Sequence, residues 1–387
     1  MTTWHLVTGE YPPAAGGVSD YSRLVAGGLA EAGDAVHVWC PNAAGSDADV
    51  AGVQVHRIAG AWSAADLHRL DRELDAIPGE KKLLLQWVPH AYGKRSLNVR
   101  FCRWIRRRAR AGDVLGVMVH EAGLAFREGT VRQDLGAAVH RLMLSLLLSH
   151  ASRVWVAIPA WADVLRPWTL REDLAFCWLP VPSTLPVAEP HDAVRSIRAA
   201  RLPGSDHVLV GHFSTYPPAI RRALAEVLPK LLAADPQVHV ELLGRGGERA
   251  LEEMREALGV DASRVTAPGP LDATSLSHHL QACDLVVQPY PDGASTRRST
   301  LMAALAHGVP AVTTIGRLSE AFWRESDAIA AAPAGDAGAL ARAAGELIRH
   351  PERRRELAAA ARATYDARFS LPHVIAALRS EECAEVS

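Results

Sequence analysis

The sequence has little of what marks secreted, membrane-spanning or strongly charged proteins. Five cysteines among 387 residues (Cys40, Cys102, Cys177, Cys283 and Cys383) form no CxxC pair and no framework spacing, which predicts reduced thiols in a cytoplasmic compartment and no disulfide. The most apolar run, residues 142–148, is far shorter than the roughly 18 residues of a membrane span. The N-terminus lacks a basic region followed by an apolar stretch, so we predict no signal peptide.

Charge and histidine spacing exclude two further classes of protein. The formal net charge is −1, so no overall field attracts nucleic acid. The 17 histidines show no HxxxH, HExxH or Cys/His spacing, and we therefore predict no metal site.

Short apolar runs alternate with longer helical patterns along the whole chain, which is typical of parallel sheets with crossover helices. The length exceeds what one core normally supports, so we expect two domains. Prolines at 182, 186 and 190 exclude a central strand or a long helix there and indicate a linker. The predicted fold class is α/β, with two Rossmann-like doubly wound domains facing across a cleft that would hold the ligand.

The most informative segment, residues 284–310, indicates a buried strand, a loop of small residues and a helix. Its first helical turn carries Arg297, Arg298, Ser299 and Thr300. The positive end of a helix, two guanidinium groups and two hydroxyls suit a phosphate ester. The alternative is an ordinary capped helix with solvated arginines.

Several segments along the chain carry a resemblance: residues 9–33 with Gly16-Gly17, residues 240–247, residues 265–271, residues 283–290 and residues 303–314, in this order. Together they resemble the retaining glycosyltransferases of the two-Rossmann-domain (GT-B) architecture, specifically family 4, over nearly the whole chain. The resemblance implies an acceptor domain over 1–182, a linker over 183–204 and a nucleotide-sugar donor domain over 205–368. It also implies that a C-terminal helix within 369–387 returns to the first domain.

The resemblance also implies site residues. Gly16 and Gly17 would approach the donor diphosphate and the acceptor, which glycine permits because it has no Cβ; a tight turn alone is the alternative. His120 is similar to a histidine that hydrogen-bonds the transferred sugar, although a lone histidine is more often structural. Glu121 would orient that imidazole or contact the acceptor, or would be an exposed loop carboxylate. Backbone groups from Thr266 to Leu271 would read the donor base.

The sequence departs from the family pattern at three places. Two acidic residues are expected at Ser295 and Ala303, and Asp292 is the nearby carboxylate that could serve the sugar. An Arg/Lys pair is expected after the linker, where residues 211–218 read GHFSTYPP. Arg245 and the pair Arg297/Arg298 are the expected substitutes, because a leaving diphosphate needs positive groups and losing one such contact costs about 2.7–4 kcal/mol.

We therefore expect a metal-independent retaining glycosyltransferase that moves a hexosyl group from a nucleoside diphosphate sugar to an acceptor hydroxyl, with no other cofactor. Loops at 88–96 and 123–130 would choose the acceptor, which the sequence does not identify. The alternatives are a catalytically silent sugar-nucleotide-binding homologue or partner subunit, and a nucleotide-sugar 2-epimerase, whose acidic and histidine cluster we do not find. The basic stretch 100–110 would rest on an anionic membrane or, alternatively, form a solvated helix face.

Overall fold

The computed structural model describes residues 1–43, 50–59, 62–93, 97–123, 131–189 and 192–386, without the side chain of Arg132. The chain forms two compact units. The first comprises Met1–Val181 together with Leu371–Ser387, and the second comprises Pro182–Ser370.

The first unit is a parallel sheet covered by helices. Its strands are β1 (Thr3–Thr8), β2 (Ala35–Pro41), β3 (Val53–Ile58), β4 (Lys82–Trp87), β5 (Val114–Val119), β6 (Arg153–Val156) and β7 (Phe176–Trp178). Its helices are α1 (Gly17–Glu31), α2 (Ala64–Ala76), α3 (Val99–Arg110), α4 (Val131–Leu148), α5 (Ala160–Leu165) and, from the C-terminal end of the chain, α14 (Leu371–Arg379). The strand order is β3-β2-β1-β4-β5-β6-β7.

The second unit repeats this design. Its strands are β8 (Val208–Phe213), β9 (Val238–Leu243), β10 (Val265–Thr266), β11 (Leu285–Gln288), β12 (Ala311–Ile315) and β13 (Ala330–Pro333). Its helices are α6 (Asp192–Arg201), α7 (Pro218–Ala234), α8 (Gly247–Leu258), α9 (Ala273–Ala282), α10 (Ser299–Ala306), α11 (Ala321–Glu325), α12 (Ala337–Arg349) and α13 (Pro351–Arg368). The strand order is β10-β9-β8-β11-β12-β13.

The strand order determines where a ligand can bind in each unit. Central strands such as β4 and β11 are apolar along most of their length because helices cover both faces of a parallel sheet. The order reverses between β1 and β4 in the first unit and between β8 and β11 in the second. Ligands of doubly wound sheets bind outside the carboxyl ends of the strands at such a reversal. The residues that follow β1, β4, β8 and β11 are therefore the first candidates for a site.

The segment predicted as a linker, 183–204, lies within the second unit. Its proline-rich first part has no helix or strand among the described residues 182–189, whereas α6 follows it. Arg198 donates to Asp284 at 3.0 Å and Arg201 donates to the buried carboxylate of Glu241 at 2.6 Å. These ion pairs attach α6 to the second sheet, so this helix is not a free connection.

The last helix of the chain, α14, packs on α1 of the first unit. Gly28 of α1 leaves room for Ile375, because a Cβ at that glycine would lie 2.8 Å from the isoleucine side chain. Cys383, just beyond α14, forms a disulfide with Cys177 of β7, with Cα atoms 5.6 Å apart. The prediction of reduced thiols is therefore wrong for this pair, because the fold brings together two cysteines that are 206 residues apart in sequence.

The basic stretch 100–110 forms α3. Phe101, Trp104 and Ile105 are buried in the core of the first unit. Arg107 pairs with Asp71 of α2, and Arg108 pairs with Asp113 at 2.6 Å. The contact with an anionic membrane stays a prediction. In the part of the chain that the structure describes, no helix is both long and apolar enough to cross a bilayer.

Candidate functional site

The chain leaves β11 at Gln288 and enters α10 at Ser299 through residues 289–298, which we call the arginine loop. This loop starts beside the sheet reversal, because β11 pairs with β8. Arg298 is the N-cap residue of α10, and Ser299 and Thr300 open the helix. The hydroxyl of Thr300 hydrogen-bonds with the hydroxyl of Tyr290 at 2.8 Å. The predicted combination of arginines and hydroxyls is therefore present at a helix start next to the sheet reversal.

Asp292 binds both arginines of the loop. One carboxylate oxygen accepts from Arg297 and the other accepts from Arg298. The three side chains are only 17–24% exposed, and the Arg298 guanidinium also stacks over the ring of Tyr290, 4.7 Å from its centre. The group carries a net charge of +1. The arginines are thus held close to the helix start, and the carboxylate expected to serve the sugar is their partner.

The two positions where the family has acidic residues differ in their surroundings. Ala303 is buried inside α10 and presents only a methyl group. Ser295 is fully buried, and its hydroxyl finds no hydrogen-bond partner among the described residues. Neither side chain supplies the charge that the family motif carries.

A carboxylate that sequence reasoning missed lies next to the arginine loop. Glu320 follows β12 and belongs to residues 316–320, which we call the supporting loop. Its Oε1 accepts from the backbone N–H of Thr296 at 2.9 Å and from the Thr296 hydroxyl at 2.5 Å. Burial raises the pKa of Glu320 above its ordinary value, against the opposing effect of these hydrogen bonds. No motif or spacing marks this residue, because its partner is 24 positions away along the chain.

The end of β8, where the family has its cationic pair, carries His212 instead. This side chain is 1% exposed, and its Nδ1–H donates to the carbonyl of Val287 at 2.8 Å. Burial lowers the pKa of His212 to about 4, so the ring is neutral near pH 7. His212 does not replace the missing positive charge.

The glycine-rich turn after β9 presents Arg245 on the surface. Gly244 (φ +98°) precedes it, and a Cβ at this glycine would lie 2.3 Å from the carbonyl oxygen of Ser214, so the turn requires glycine. Thr266 ends β10 and donates from its hydroxyl to Val240 O at 3.3 Å. Leu271 is half-buried just before α9. These residues follow β9 and β10, on the side of β8 away from β11.

His120 follows β5 of the first unit and is 8% exposed. Its Nε2 lies 2.9 Å from Oε1 of Gln86, and the edge of the Tyr21 ring contacts the imidazole with ring centres 4.7 Å apart. Burial lowers the pKa of His120 to about 3, so the imidazole carries no charge at neutral pH. A neutral imidazole can still donate or accept a hydrogen bond with a ligand.

Two polar atoms near His120 are buried without partners among the described residues. They are the Tyr21 hydroxyl and Nε2 of Gln86. The exposed Glu121 points elsewhere, since its carboxylate lies 3.8 Å from His90. Gln86, and not Glu121, is the residue that orients the imidazole.

The Gly16-Gly17 turn opens α1, but an internal anion already occupies its N–H groups. Oε1 of Glu10 accepts from the backbone N–H of Val18 and of Ser19, both at 3.1 Å. A Cβ on Gly16 would lie 2.4 Å from that oxygen, whereas a Cβ on Gly17 would meet no atom within 4 Å. Glycine at position 16 therefore makes room for Glu10.

The structure brings Asp292, Arg297, Arg298 and Thr300 together with Tyr290, and it brings Tyr21 and Gln86 to His120. The loops expected to choose the acceptor fall partly outside the described residues, at 94–96 and 124–130. Among the residues that the structure describes, no three His, Cys, Asp or Glu side chains lie close enough to hold a metal ion.

Comparison with known protein families gives a match for part of this chain. Residues 205–350 match the family model described as glycosyl transferases group 1. This part of the second unit is therefore similar to group 1 glycosyltransferases. The matched segment includes the arginine loop, the supporting loop, Arg245, Thr266 and Leu271.

Solved structures extend the likeness to both units. The chain is similar to sucrose-phosphate synthase from Thermosynechococcus elongatus, with 19% identity, 97% of this chain and 96% of that chain covered, and a TM-score of 0.73. It is also similar to WaaG, a glycosyltransferase involved in lipopolysaccharide biosynthesis (15% identity, 99% and 100% covered, TM-score 0.66). Anabaena HepE, solved in complex with UDP and glucose, gives 16% identity, 97% of both chains covered and a TM-score of 0.66. The comparison with curated sequences gives no match.

These likenesses confirm the predicted fold class of two Rossmann-like domains, the GT-B fold. Membership of family 4 and retention of configuration stay predictions.

Proposed function

We propose that this chain transfers a hexosyl group from a nucleoside diphosphate sugar to an acceptor hydroxyl with retention of configuration, as in family 4. The observation that carries the proposal is the arginine loop within the segment similar to group 1 glycosyltransferases, where two guanidinium groups lie beside the start of α10. The HepE structures with UDP-glucose and with UDP and glucose support a nucleotide-sugar donor.

The proposed roles follow from charge and burial. Arg297, Arg298 and the first turn of α10, with Ser299 and Thr300, stabilise the negative charge that develops on the leaving diphosphate. His120, neutral and oriented by Gln86, hydrogen-bonds the transferred sugar. The bond from the anomeric carbon to the β-phosphate oxygen breaks and a bond to the acceptor oxygen forms on the same face. The acceptor proton passes to the departing phosphate oxygen, so no covalent nucleophile and no metal is required.

The test is turnover with a panel of nucleotide sugars. The chain is incubated with UDP-, GDP- and ADP-hexoses and a mixture of candidate acceptors, and release of the nucleoside diphosphate is followed together with the labelled product. Thermal stabilisation by each free diphosphate identifies the base. We expect release and transfer with one base and unchanged rates after addition of EDTA. If no diphosphate stabilises the chain and none is released, the proposal is wrong.

A second candidate, a catalytically silent sugar-nucleotide-binding protein, is favoured by the missing charges. Asp292 offsets part of the charge of the arginine pair, and His212 is neutral. Tight binding of a nucleotide sugar without release of diphosphate would support this candidate over the enzyme.

A further inference from the structure

The arginine loop is held by the supporting loop through two glycines. A Cβ on Gly293 would lie 2.3 Å from the backbone nitrogen of Gly316, and a Cβ on Gly316 would lie 2.7 Å from the carbonyl of Asp292. The backbone N–H of Leu318 donates to the Asp292 carbonyl at 3.0 Å. The first part of the arginine loop, which carries the shared carboxylate, is therefore fixed by its backbone.

Glu320 holds the other part of the arginine loop. Its Oε1 accepts hydrogen bonds from both the backbone N–H and the hydroxyl of Thr296, the residue directly before Arg297. The side chain is 8% exposed, its Oε2 is buried, and the side chain of Trp323 also hydrogen-bonds to the carboxylate. Burying a carboxylate costs stability, and a neutral side chain could accept the same two hydrogen bonds from Thr296 at lower cost.

The two attachments lie at either end of the ion-paired group. Leu318 holds residue 292 and Glu320 holds residue 296, while Arg297 and Arg298 reach back to the Asp292 side chain. Between them, the N–H of Ala294 donates to the Thr314 carbonyl of β12 at 2.7 Å. Since the guanidiniums are only about one-fifth exposed, a shift of the backbone at Thr296 would move both of them relative to the start of α10.

We propose that Glu320 is a positioning residue: it fixes the backbone of the arginine loop so that Arg297 and Arg298 meet the diphosphate of the donor. The inference rests on the proposed function. It assigns to the supporting loop the role of positioning the two arginines.

The experiment measures the affinity of the full chain for UDP, GDP, ADP and inorganic pyrophosphate by calorimetry, with Glu320→Ala, Glu320→Gln and the double variant Arg297→Ala/Arg298→Ala. We expect Glu320→Ala to weaken binding on the order of tenfold or more, because the Thr296 backbone loses its acceptor. Glu320→Gln keeps an acceptor oxygen and is expected to bind within about threefold of the wild type. In the background of the double arginine variant, Glu320→Ala is expected to have no further effect, since it acts through the arginines.

Glu241→Gln is the matched control. Glu241 is a fully buried carboxylate of the same unit, bonded to Arg201 and His279, so its replacement perturbs the fold without touching the arginine loop. It is expected to lower the unfolding temperature while leaving the affinity unchanged. If Glu320→Ala fails to fold, Thr296→Val, which removes the hydroxyl that donates to Glu320, replaces it in the cycle and is expected to weaken binding.

The outcomes separate the inference from the proposed function. If the wild type binds none of the four ligands, the proposed function fails and the inference fails with it. Two results would overturn only the inference, provided that the wild type binds. In the first, Glu320→Ala binds as well as the wild type. In the second, Glu320→Ala weakens binding just as much in the background of Arg297→Ala/Arg298→Ala. Equal losses in Glu320→Gln and Glu320→Ala would also overturn it, because the effect would then depend on the carboxylate charge and not on an acceptor oxygen for Thr296.

Discussion

Two carboxylates of the chain hydrogen-bond to groups that would otherwise attract an anionic ligand. Asp292 binds both guanidiniums of the arginine loop, and Glu10 accepts the first N–H groups of α1. A diphosphate bound at α1 would face the negative charge of Glu10, whereas one bound at the arginine loop would face a group of net charge +1. The balance of charge thus favours the second unit as the place where the donor phosphates of the proposed function would bind.

The first prediction concerns the arginine pair. Arg297→Ala combined with Arg298→Ala should slow turnover on the order of 10²-fold or more, because the leaving diphosphate loses its positive partners. Steady-state release of nucleoside diphosphate measures this. Arg249→Ala is the control, since Arg249 is a mostly exposed arginine paired with Glu253 on α8. Turnover unchanged in the double variant would remove these arginines from the mechanism.

The second prediction concerns acid stability. The pKa of buried His212 is about 4, below the ordinary value of 6.5, so the unfolded chain takes up a proton that the folded chain does not. The stability linked to His212 is therefore complete above pH 6.5 and is lost as the pH falls toward about 4. Urea midpoints at pH 7 and pH 4.5 should differ less for His212→Gln than for the wild type. The exposed His68→Gln should behave as the wild type; equal losses in all three chains would show that His212 does not contribute.

At the residue scale, the sequence predicted which side chains stand at the start of α10 but not which carboxylates contact them or the loop before it. The positions of Arg297, Arg298 and Thr300 at a helix start followed from residue types that are local in sequence. Asp292 as their shared partner was not foreseen, because a loop conformation determines which side chains meet. Glu320 was missed entirely, since its contact with Thr296 exists only after β11 and β12 pair.

At the scale of elements, the alternation of short apolar runs with helical patterns correctly predicted parallel sheets with crossover helices, because parallel strands buried on both faces produce short, nearly continuous apolar runs. The expectation that the proline-rich stretch contains no central strand or long helix also holds for its described residues 182–189. The attachment of α6 was not predicted, because it depends on ion pairs of Arg198 and Arg201 with residues 86 and 40 positions away, respectively.

The start of α1 gives the third prediction, with a matched pair of glycines. Gly16→Ala displaces the Glu10 carboxylate, so α1 loses two hydrogen bonds at its first turn, and the free energy of unfolding should fall by about 1–2 kcal/mol. Gly17→Ala adds a methyl group in open space and should change that free energy by less than about 0.5 kcal/mol. Chemical denaturation of the two variants measures the difference. Equal effects would mean that Glu10 does not stabilise α1.

At the scale of the whole molecule, the chain closes its first unit with its last residues. The first unit begins the chain and is completed by α14 and the segment that carries Cys383, after the whole second unit. Composition and spacing pointed away from a disulfide, because sequence spacing reports only local frameworks, and Cys177 and Cys383 meet through the return of the chain.

The disulfide gives the fourth prediction. A cross-link between residues 206 positions apart removes conformational freedom from the unfolded chain, so Cys383→Ser should lower the free energy of unfolding by about 2–4 kcal/mol. Tryptophan fluorescence is suited to this measurement because Trp323 is the only one of the ten tryptophans that lies in the second unit. The signal therefore reports mainly on the unit that contains the bond.

Reductant supplies the control within the same measurement. It should lower the fluorescence midpoint of the wild type to that of Cys383→Ser and leave the variant unchanged, because only the wild type has a bond to lose. If reductant leaves the fluorescence midpoint of the wild type unchanged, the disulfide does not form in solution. The same titration followed by circular dichroism, to which the helices of both units contribute, should then shift less than the fluorescence if the cross-link acts mainly on the first unit.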